Sequence, residues 1–567
     1  MPKPILQSHP VYTRREVVAE NGVCSAGHPQ EAEAGVRMMQ AGGNAVDALV
    51  AAAFMGFVLE PHCCGLGGYG HTTVWIAKLK KFVSFDHYGR APGAARPDMF
   101  QIDPRAKNYR SQPRSRDGKA EDGPLSIITP GAVAGFCDLH GMFGKLPLKQ
   151  ILEPAIDAAE AGVIYSPFMV QCIASRLDLV KSLPETADAL LPNGELPVAD
   201  HDKLDTRALA RTLKQIATRG KKAFHTGRTA QAIERLVKGV GGILTADDLT
   251  NYQTRILYET PATYRGHDYV TCYDQVGYEA LNILEHFDLA KYGPDSLQYR
   301  HLAAEAMAIA FADSLTHYGD PDFVNSPVTG LASRAFAAKR RKEIRLTRAI
   351  SRPVAPGDPW PYDDGSLGVQ PSSPGKTSAT IEGTSQMAAA DHSGNMAATI
   401  VSVSSGYGSM VYVPEVGIFL NNSMQNFDLR PDHPNSIQPG KMPFFAVPAL
   451  IATKNGLPRI GIAGSGGYRI LTGVLHTLMN HIDHKMTLED AIEAPRVHCQ
   501  GDATNLDSRI SQAIQARLAE MGHTVTTSEI KPDTHPFANI CAVAYNPRKK
   551  TLHASASPPW KTGAAGY

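Results

Sequence analysis

Six prolines (353, 356, 359, 361, 371 and 374) fall among Gly, Ser and Asp between Ser351 and Gly383, and no hydrophobic period survives across them. Proline removes a backbone donor and fixes φ, so neither a helix nor an inner strand runs through such a stretch. The segment reads as a flexible loop, and it cuts the chain into two parts of different texture. Upstream the patterns are mainly helical. Downstream, from QMAAAD through NMAATIVSVSS, VGIFLNN and ALIATKNGLPRIGIAGSGG, they are strand and turn as far as Ile470. The loop ends at Gly383-Thr384 in the stretch TIEGTSQMAAADHSGN, which places a threonine at the entrance to the strand-rich part.

Glu31 to Leu59 reads as two packed helices broken at Gly42-Gly43, with Asn44 as the cap of the second. HTTVWIAKLKKFVSFDHY predicts a strand pair. Between them, Gly65, Gly67 and Gly70 match G-x-G-x-x-G, but a helix leads in and a strand leads out. That is the reverse of a dinucleotide turn, so these glycines are assigned to close backbone packing. Helices are further predicted at 145–162, at GGILTADDLTNY, at the long apolar stretch from Arg300, and on either side of Met486, with a last strand near Ile540 to Tyr545.

The chain has 567 residues, 43% hydrophobic and 20% charged, with a net charge of +1. This is a globular composition with no electrostatic footprint for nucleic acid or an anionic membrane. The basic run Lys339-Arg340-Arg341-Lys342 reads as a solvated helix face. The most apolar stretch, Ala45 to Leu59, contains Asp47 and is shorter than the roughly 20 residues a bilayer requires, so it is a buried helix. Eight cysteines without a C-x-x-C pair read as reduced and mostly buried. His433, His476, His481 and His484 share no zinc-ligand spacing, so neither metal nor cofactor is expected. The N-terminus lacks a long apolar core after its basic residues, which predicts no secretory signal and a cytoplasmic protein.

A threonine hydroxyl is a poor nucleophile until a base takes its proton, and a free α-amine on the same residue can do so. Such an amine titrates near about 7.7–8.0, within reach of neutrality. An internal threonine gains it only if the preceding bond is cut. Glycine before the bond leaves its carbonyl unobstructed, and hydroxyl attack there gives an ester that water opens.

The stretches GGNAVDALVAAAFMGFVLEPHCCGLGG (42–68), TPGAVAGF (129–136), GKLPLKQILEPAIDAAEAG (144–162), GGILTADDL (241–249), EAMAIAFADS with GDPDF (305–323) and EAPRVH (493–498) together resemble the γ-glutamyltranspeptidase family. They run in family order over nearly the whole chain. The resemblance implies an α+β fold, the four-layer αββα sandwich of N-terminal nucleophile hydrolases. It also implies a precursor that cleaves itself into a large subunit (1–383) and a small subunit (384–567), which together form one structural domain. DHSGN resembles the family's D-x-x-G-N turn, and counting back from it places the nucleophile at Thr384 and the cleavage site at Gly383-Thr384. By the same resemblance Ser402 is the hydroxyl residue that hydrogen-bonds the nucleophile. Gly466 and Gly467 in AGSGGYRI are the paired glycines whose N–H groups stabilise the oxyanion.

The substrate-binding positions depart from the family pattern. The family's arginine corresponds to Tyr88, with Arg90 nearby in FDHYGRAP. The family's acid corresponds to Asn426 and the polar residue before it to Ser423. Phe444, Phe445 and Ala446 stand where adjacent serines are expected, and Ser404 completes the set. Loss of an arginine and a carboxylate removes both ends of zwitterion recognition. The resulting expectation is an amide hydrolase with a non-standard, more apolar or smaller acyl group and a small-molecule amide as substrate. Its partners are its own two subunits, without nucleic acid or membrane. Two other readings are a true γ-glutamyl hydrolase or transferase that uses Arg90 as a substitute contact, and a non-catalytic scaffold that retains the fold.

Overall fold

The computed structural model describes residues 16–107, 112–272, 274–364, 382–444, 448–531, 536–558 and 562–567. Most of the proline-rich segment, including Pro371 and Pro374, lies outside the described residues.

Fourteen strands of the described residues build two sheets. They are β1 (Val17–Ala19), β2 (Gly22–Ala26), β3 (Tyr69–Ile76), β4 (Lys81–His87), β5 (Arg255–Glu259), β6 (Ala262–Tyr264), β7 (His267–Thr271), β8 (Glu382–Asp391), β9 (Met396–Ser405), β10 (Leu450–Lys454), β11 (Leu457–Ser465), β12 (Asn539–Asn546), β13 (Thr551–Ala556) and β14 (Gly563–Gly566). One seven-stranded sheet runs β1-β13-β12-β11-β10-β7-β6 and the other β14-β2-β8-β9-β3-β4-β5, with every pairing antiparallel. Each sheet therefore interleaves strands from both sides of Gly383-Thr384. The helix-rich first part supplies seven of them, more strand than its texture predicted. The five beyond the expected pair β3 and β4 are three to five residues long, too brief a period to register in a sequence window.

The sheets meet face to face through β8 and β9 against β11 and β12. Side chains alternate across β8 as the pleat requires. Ala388 and Ala390 join a core with Ile460, Ile462, Ile540 and Ala542 between the sheets. Met387 and Ala389 join a second core with Phe54, Phe57 and Val58 of the buried helix behind. With both faces covered, Met387–Ala390 of β8 form an unbroken apolar run. Helices α1 (Pro29–Gln40) and α2 (Ala45–Leu59) lie against β2, β8 and β9, and the helix Arg469–Ile482 lies against β11 and β12. The result is a mixed helix-and-sheet fold.

Local sequence accounts for the main joints. Asn44 and Asp47 form a reciprocal capping box at the start of α2, as its cap position predicts. All of α2 except Leu59 is buried. A cation would have no counter-charge along that helix, and Asp47 is tolerated because it accepts the N–H groups of Asn44 and Lys145. Gly67 and Gly70 do serve close packing: a Cβ on either would stand 2.2 Å from Phe419 O or 2.0 Å from Ile400 O, respectively. The expected helices also form at Leu148–Ala161, Ala246–Thr250 and Leu297–His317, and at Leu488–Glu493 after Met486. The basic run departs from expectation. Arg340 is buried and its guanidinium binds the buried Asp313 carboxylate at 2.8 Å, because the helix Arg334–Arg340 turns that residue onto the long helix rather than toward water. All eight cysteines are free, and all but Cys137 are buried. No helix among the described residues is long and apolar enough to cross a membrane.

The DHSGN turn closes the β8–β9 hairpin. Asp391 accepts the N–H and the side-chain amide of Asn395 at 3.1 and 2.9 Å. It also accepts the Ala45 N–H at 2.9 Å, at the N-terminus of α2. Gly394 takes φ +84°, a left-handed turn position that glycine occupies without strain. One carboxylate therefore fixes the hairpin against the helix, where both the helix dipole and an unsatisfied donor favour an anion. Asp391→Ala leaves the Ala45 and Asn395 donors unmet. We expect it to lower stability by about 2–4 kcal/mol, read as a fall in the urea midpoint of chains that also carry Thr384→Ala.

Candidate active site

Thr384 is the third residue of β8, not the first residue after the loop, because strand pairing already begins at Glu382. Gly383 pairs with Ser404 and Thr384 with Ser402, so Val403 is an extra residue and the hairpin carries a bulge at the Gly383–Thr384 bond. The bulged residue is not left unsatisfied: the Val403 N–H donates to Cys63 O at 3.1 Å and its carbonyl accepts the Asn422 N–H at 3.1 Å. Gly383 is needed for space, since a Cβ there would stand 2.2 Å from His62 O and 2.8 Å from Ser405 O.

The bulge brings three oxygens together. The Ser402 hydroxyl donates to Gly383 O at 2.7 Å. Its single proton is thereby committed, so the 3.0 Å contact with Thr384 Oγ1 runs from the threonine hydroxyl to Ser402 Oγ. The Ser404 N–H also donates to Ser402 Oγ, at 2.8 Å. Ser404 adopts φ +80°, an uncommon conformation for a residue with a side chain. Gln425 donates to its hydroxyl at 3.3 Å and to that of Ser405 at 3.1 Å. Asn422 secures Ser405 through both its N–H and its hydroxyl. Thr384, Ser402 and Ser404 are all buried.

Behind Thr384 lies the turn Glu60-Pro61-His62-Cys63, in which the Cys63 N–H donates to Glu60 O at 2.8 Å. The Thr384 N–H points at the Cys63 thiol. Ser385 donates its hydroxyl to Glu60 Oε2 at 2.6 Å. Burial, and then the facing Glu60 carboxylate, pushes the wholly buried Glu31 carboxyl well above the usual carboxylate range. The Cys63 thiol is likewise pushed well up, by burial first and by Glu60 next.

Gly466 and Gly467 form the turn between β11 and the helix Arg469–Ile482, with φ +127° and +58°. Among the described residues no acceptor takes the N–H of either glycine. A Cβ on Gly466 would stand 3.0 Å from Ala538 Cα. That neighbouring backbone is fixed by Arg496 of the EAPRVH stretch, whose buried guanidinium donates to Phe537 O and Ala538 O at 2.8 Å each.

The residues at the family's charged positions form a neutral knot. Asn426 donates its side-chain amide to Tyr88 Oη at 2.5 Å and to Ser423 Oγ at 3.0 Å, and Tyr88 stacks on Tyr69 with ring centres 4.2 Å apart. Tyr88, Ser423 and Asn426 are fully buried. Tyr88 and Arg90 do not share a strand face, because β4 ends at His87. Arg90 binds the buried Asp86 carboxylate at 2.7 Å and donates to the carbonyls of Tyr88 and Gly89. Burial alone would raise the Asp86 carboxyl, but Arg90, His71 and Arg255 around it hold it below its usual range. Phe444 is buried, with its ring 4.7 Å from that of Tyr318. Its N–H donates to Asn435, which in turn donates to Asn426 O. Phe445 and Ala446 lie outside the described residues.

Sequence reading missed Glu60, His62, Cys63, Ser385, Asn422 and Gln425 as neighbours of the nucleophile. The first three sit inside EPHCCGLGG and the last two inside LNNSMQNF, so both stretches carried a signal. Only the bulge and the strand order bring them to Thr384.

The gamma-glutamyltranspeptidase family model matches residues 32–567. A glutathione hydrolase proenzyme of Bacillus subtilis (strain 168) is 32% identical over 522 residues, covering 90% of this chain and 86% of its own. An acylase ACY 1 proenzyme of Pseudomonas sp. (strain V22) is 31% identical over 539 residues, covering 94% and 91%. The crystal structure of cephalosporin acylase from Bacillus halodurans superposes with a TM-score of 0.85 at 28% identity, covering 100% of this chain and 99% of that one. The chain belongs to the gamma-glutamyltranspeptidase family and is an enzyme of the amide-hydrolysing or acyl-transferring kind.

Proposed function

We propose that the chain cuts its own Gly383–Thr384 bond and that the liberated Thr384 is the nucleophile of an amide hydrolase acting on an acyl group other than a γ-glutamyl zwitterion. The observation that carries this reading is the Ser402 hydroxyl, bonded at once to the carbonyl oxygen of the bond to be cut and to the hydroxyl that would cut it. Thr384 Oγ1 attacks the Gly383 carbonyl carbon and its proton passes to Ser402 Oγ, while Ser402 delivers its own proton to the carbonyl oxygen. As the tetrahedral adduct collapses, that proton moves to the Thr384 nitrogen, the C–N bond breaks and an ester remains. Water opens the ester, leaving a Gly383 carboxylate and a free Thr384 amine. In turnover the amine takes the Oγ1 proton as Oγ1 attacks the substrate amide, then gives it to the departing amine. The free N–H groups of Gly466 and Gly467 suit them to the oxyanion, and water or an acceptor amine resolves the acyl ester.

Residues 1–383 and 384–567 are, on this reading, the large and small subunits. The paired sheets with their flanking helices are the αββα sandwich of N-terminal nucleophile hydrolases. Because both sheets interleave strands from the two sides of the cut, the subunits stay together as one structural unit after cleavage.

Substrate choice follows from the knot at Tyr88. A zwitterionic acyl group needs a cation and an anion, and a neutral tyrosine–asparagine pair stands in their place. Arg90 is already bound to Asp86 and two carbonyls, which speaks against its substituting for the missing arginine. The similarity to an acylase proenzyme supports the same direction.

A denaturing gel of the purified protein is expected to show two bands whose smaller member begins Thr-Ser-Gln-Met, and Thr384→Ala a single band. A single band in active native protein would sink the reading. Ser402→Ala removes a donor to the developing oxyanion, and we expect self-cleavage slowed by about 100-fold or more, followed as the decay of the intact band. The double variant Tyr88→Arg with Asn426→Asp restores a paired charge set. It should raise release of a chromogenic amine from a γ-glutamyl amide by at least about tenfold, the factor that about 1.4 kcal/mol of recognition provides. Each single variant, burying one unpaired charge, should be poorer than the double.

A further inference from the structure

We propose that Glu60, His62 and Cys63 form an inhibitory site for a thiophilic divalent cation of the zinc class, completed by the amine that self-cleavage frees on Thr384. The proposal rests on the reading of Thr384 given above only for that last ligand.

Three donors of different chemistry, a carboxylate, an imidazole and a thiol, come from four consecutive residues. Their ligating atoms all lie within 4.8 Å of one another. Zinc bonds of about 2.0–2.3 Å require the donors to draw in by roughly 1 Å, a side-chain adjustment. The turn that carries them is held by the Cys63 N–H on Glu60 O and by the Tyr407 N–H on His62 O. It sits directly on the cleavage site, since His62 O limits residue 383 to glycine and the Thr384 N–H faces the Cys63 thiol.

Electrostatics favour a cation here. Glu31 and Glu60 bring two carboxyl groups against each other beside the thiol, and Glu31 is wholly buried. The other cluster of this kind among the described residues, His301, Glu305 and His523, differs in this respect. There the Arg352 guanidinium binds Glu305 at 2.7 Å, His301 and His523 bond each other at 2.8 Å, and the site is already neutralised.

After cleavage the Thr384 nitrogen becomes an amine with a lone pair, and with Oγ1 it forms a 1,2-amino alcohol. Metal binding displaces the Cys63 proton to solvent and takes the amine lone pair. That lone pair can then no longer accept the Oγ1 proton, so the nucleophile is silenced reversibly. Glu-Pro-His-Cys matches no familiar ligand spacing, so nothing in the local pattern signals this site.

The test uses the full-length protein freed of metal, with cobalt(II) as a spectroscopic probe and zinc as inhibitor. A thiolate-to-cobalt charge-transfer band is expected for the wild type and absent for Cys63→Ser. Tenfold or more zinc should be needed for half inhibition of Cys63→Ser and His62→Ala, each measured against its own metal-free rate. Thr384→Ala, which frees no amine, should bind cobalt at least tenfold more weakly but keep the thiolate band. Absence of the band in the wild type, or equal zinc sensitivity of all three proteins, overturns the proposal. Equal cobalt affinity of wild type and Thr384→Ala overturns the amine's part in it. If a gel shows the chain uncut, the reading of Thr384 has failed, and the cobalt band of the intact chain still decides the three-donor site.

Discussion

The Ser402 hydroxyl is where backbone geometry becomes chemistry. An unbulged β8–β9 ladder would pair the two strands in simple register. The extra residue, Val403, shifts that register at the bond between Gly383 and Thr384. Ser402 Oγ then reaches both the carbonyl and the hydroxyl across it. A bulge that ends in a positive φ at Ser404 costs on the order of 1–3 kcal/mol, and the surrounding amides offset it. The Ser404 N–H, Gln425 and Asn422 all bond within this corner, and Cys63 O takes the N–H of the bulged residue. A threonine hydroxyl linked through Ser402 to its own preceding carbonyl is thus the outcome of a closed hydrogen-bond account.

The same strand register explains why the surroundings of Thr384 come from far along the chain. β8 lies between β2 and β9, so Thr384 is flanked by a hairpin partner on one side. The α1–α2 helices and the turn after them lie behind it. Glu31, Glu60 and Cys63 arrive through those helices. A wholly buried Glu31 carboxyl facing the half-buried Glu60 is unfavourable unless a proton or a cation is shared, and the pair places negative potential where a terminal amine would appear. The charge inventory of the site is therefore asymmetric: acidic behind the threonine, neutral at Tyr88 and Asn426.

Neutrality at Tyr88 is itself structurally enforced. Asn426 links Tyr88, Ser423 and Tyr69, while its carbonyl accepts from Gln112 and from Asn435, which also holds Phe444. A single residue therefore ties several of the positions that depart from the family pattern into one network. A charge introduced at one of them would be buried without a counterion, so the departures are coupled, and substitution at one constrains the others.

Much of this was legible in the chain alone. The proline-rich break, the Asn44 cap, the glycines of GLGGYG and the position of Thr384 relative to DHSGN are local. They depend on backbone conformation and on spacing over a few residues, which sequence records directly. The strands of the first part were only partly readable, since edge strands of three to five residues carry too little period. Arg340 was misjudged for a related reason, because a basic run does not say which of its members faces a buried carboxylate. Contacts that depend on fold geometry were invisible: Ser402 on Gly383 O through a bulge, Arg90 committed to Asp86 just beyond the end of β4, and Glu60 beneath Ser385. Composition and period thus determined which segments fold, because those follow from short-range sterics and hydrophobic pattern, and the resemblance of DHSGN to the family turn singled out Thr384 by its spacing. Tertiary structure alone decided which carboxylate and thiol stand beside Thr384 and how the Ser402 hydroxyl reaches it, because those meetings are fixed by strand order and register, which bring together residues as far apart as Glu60 and Ser385.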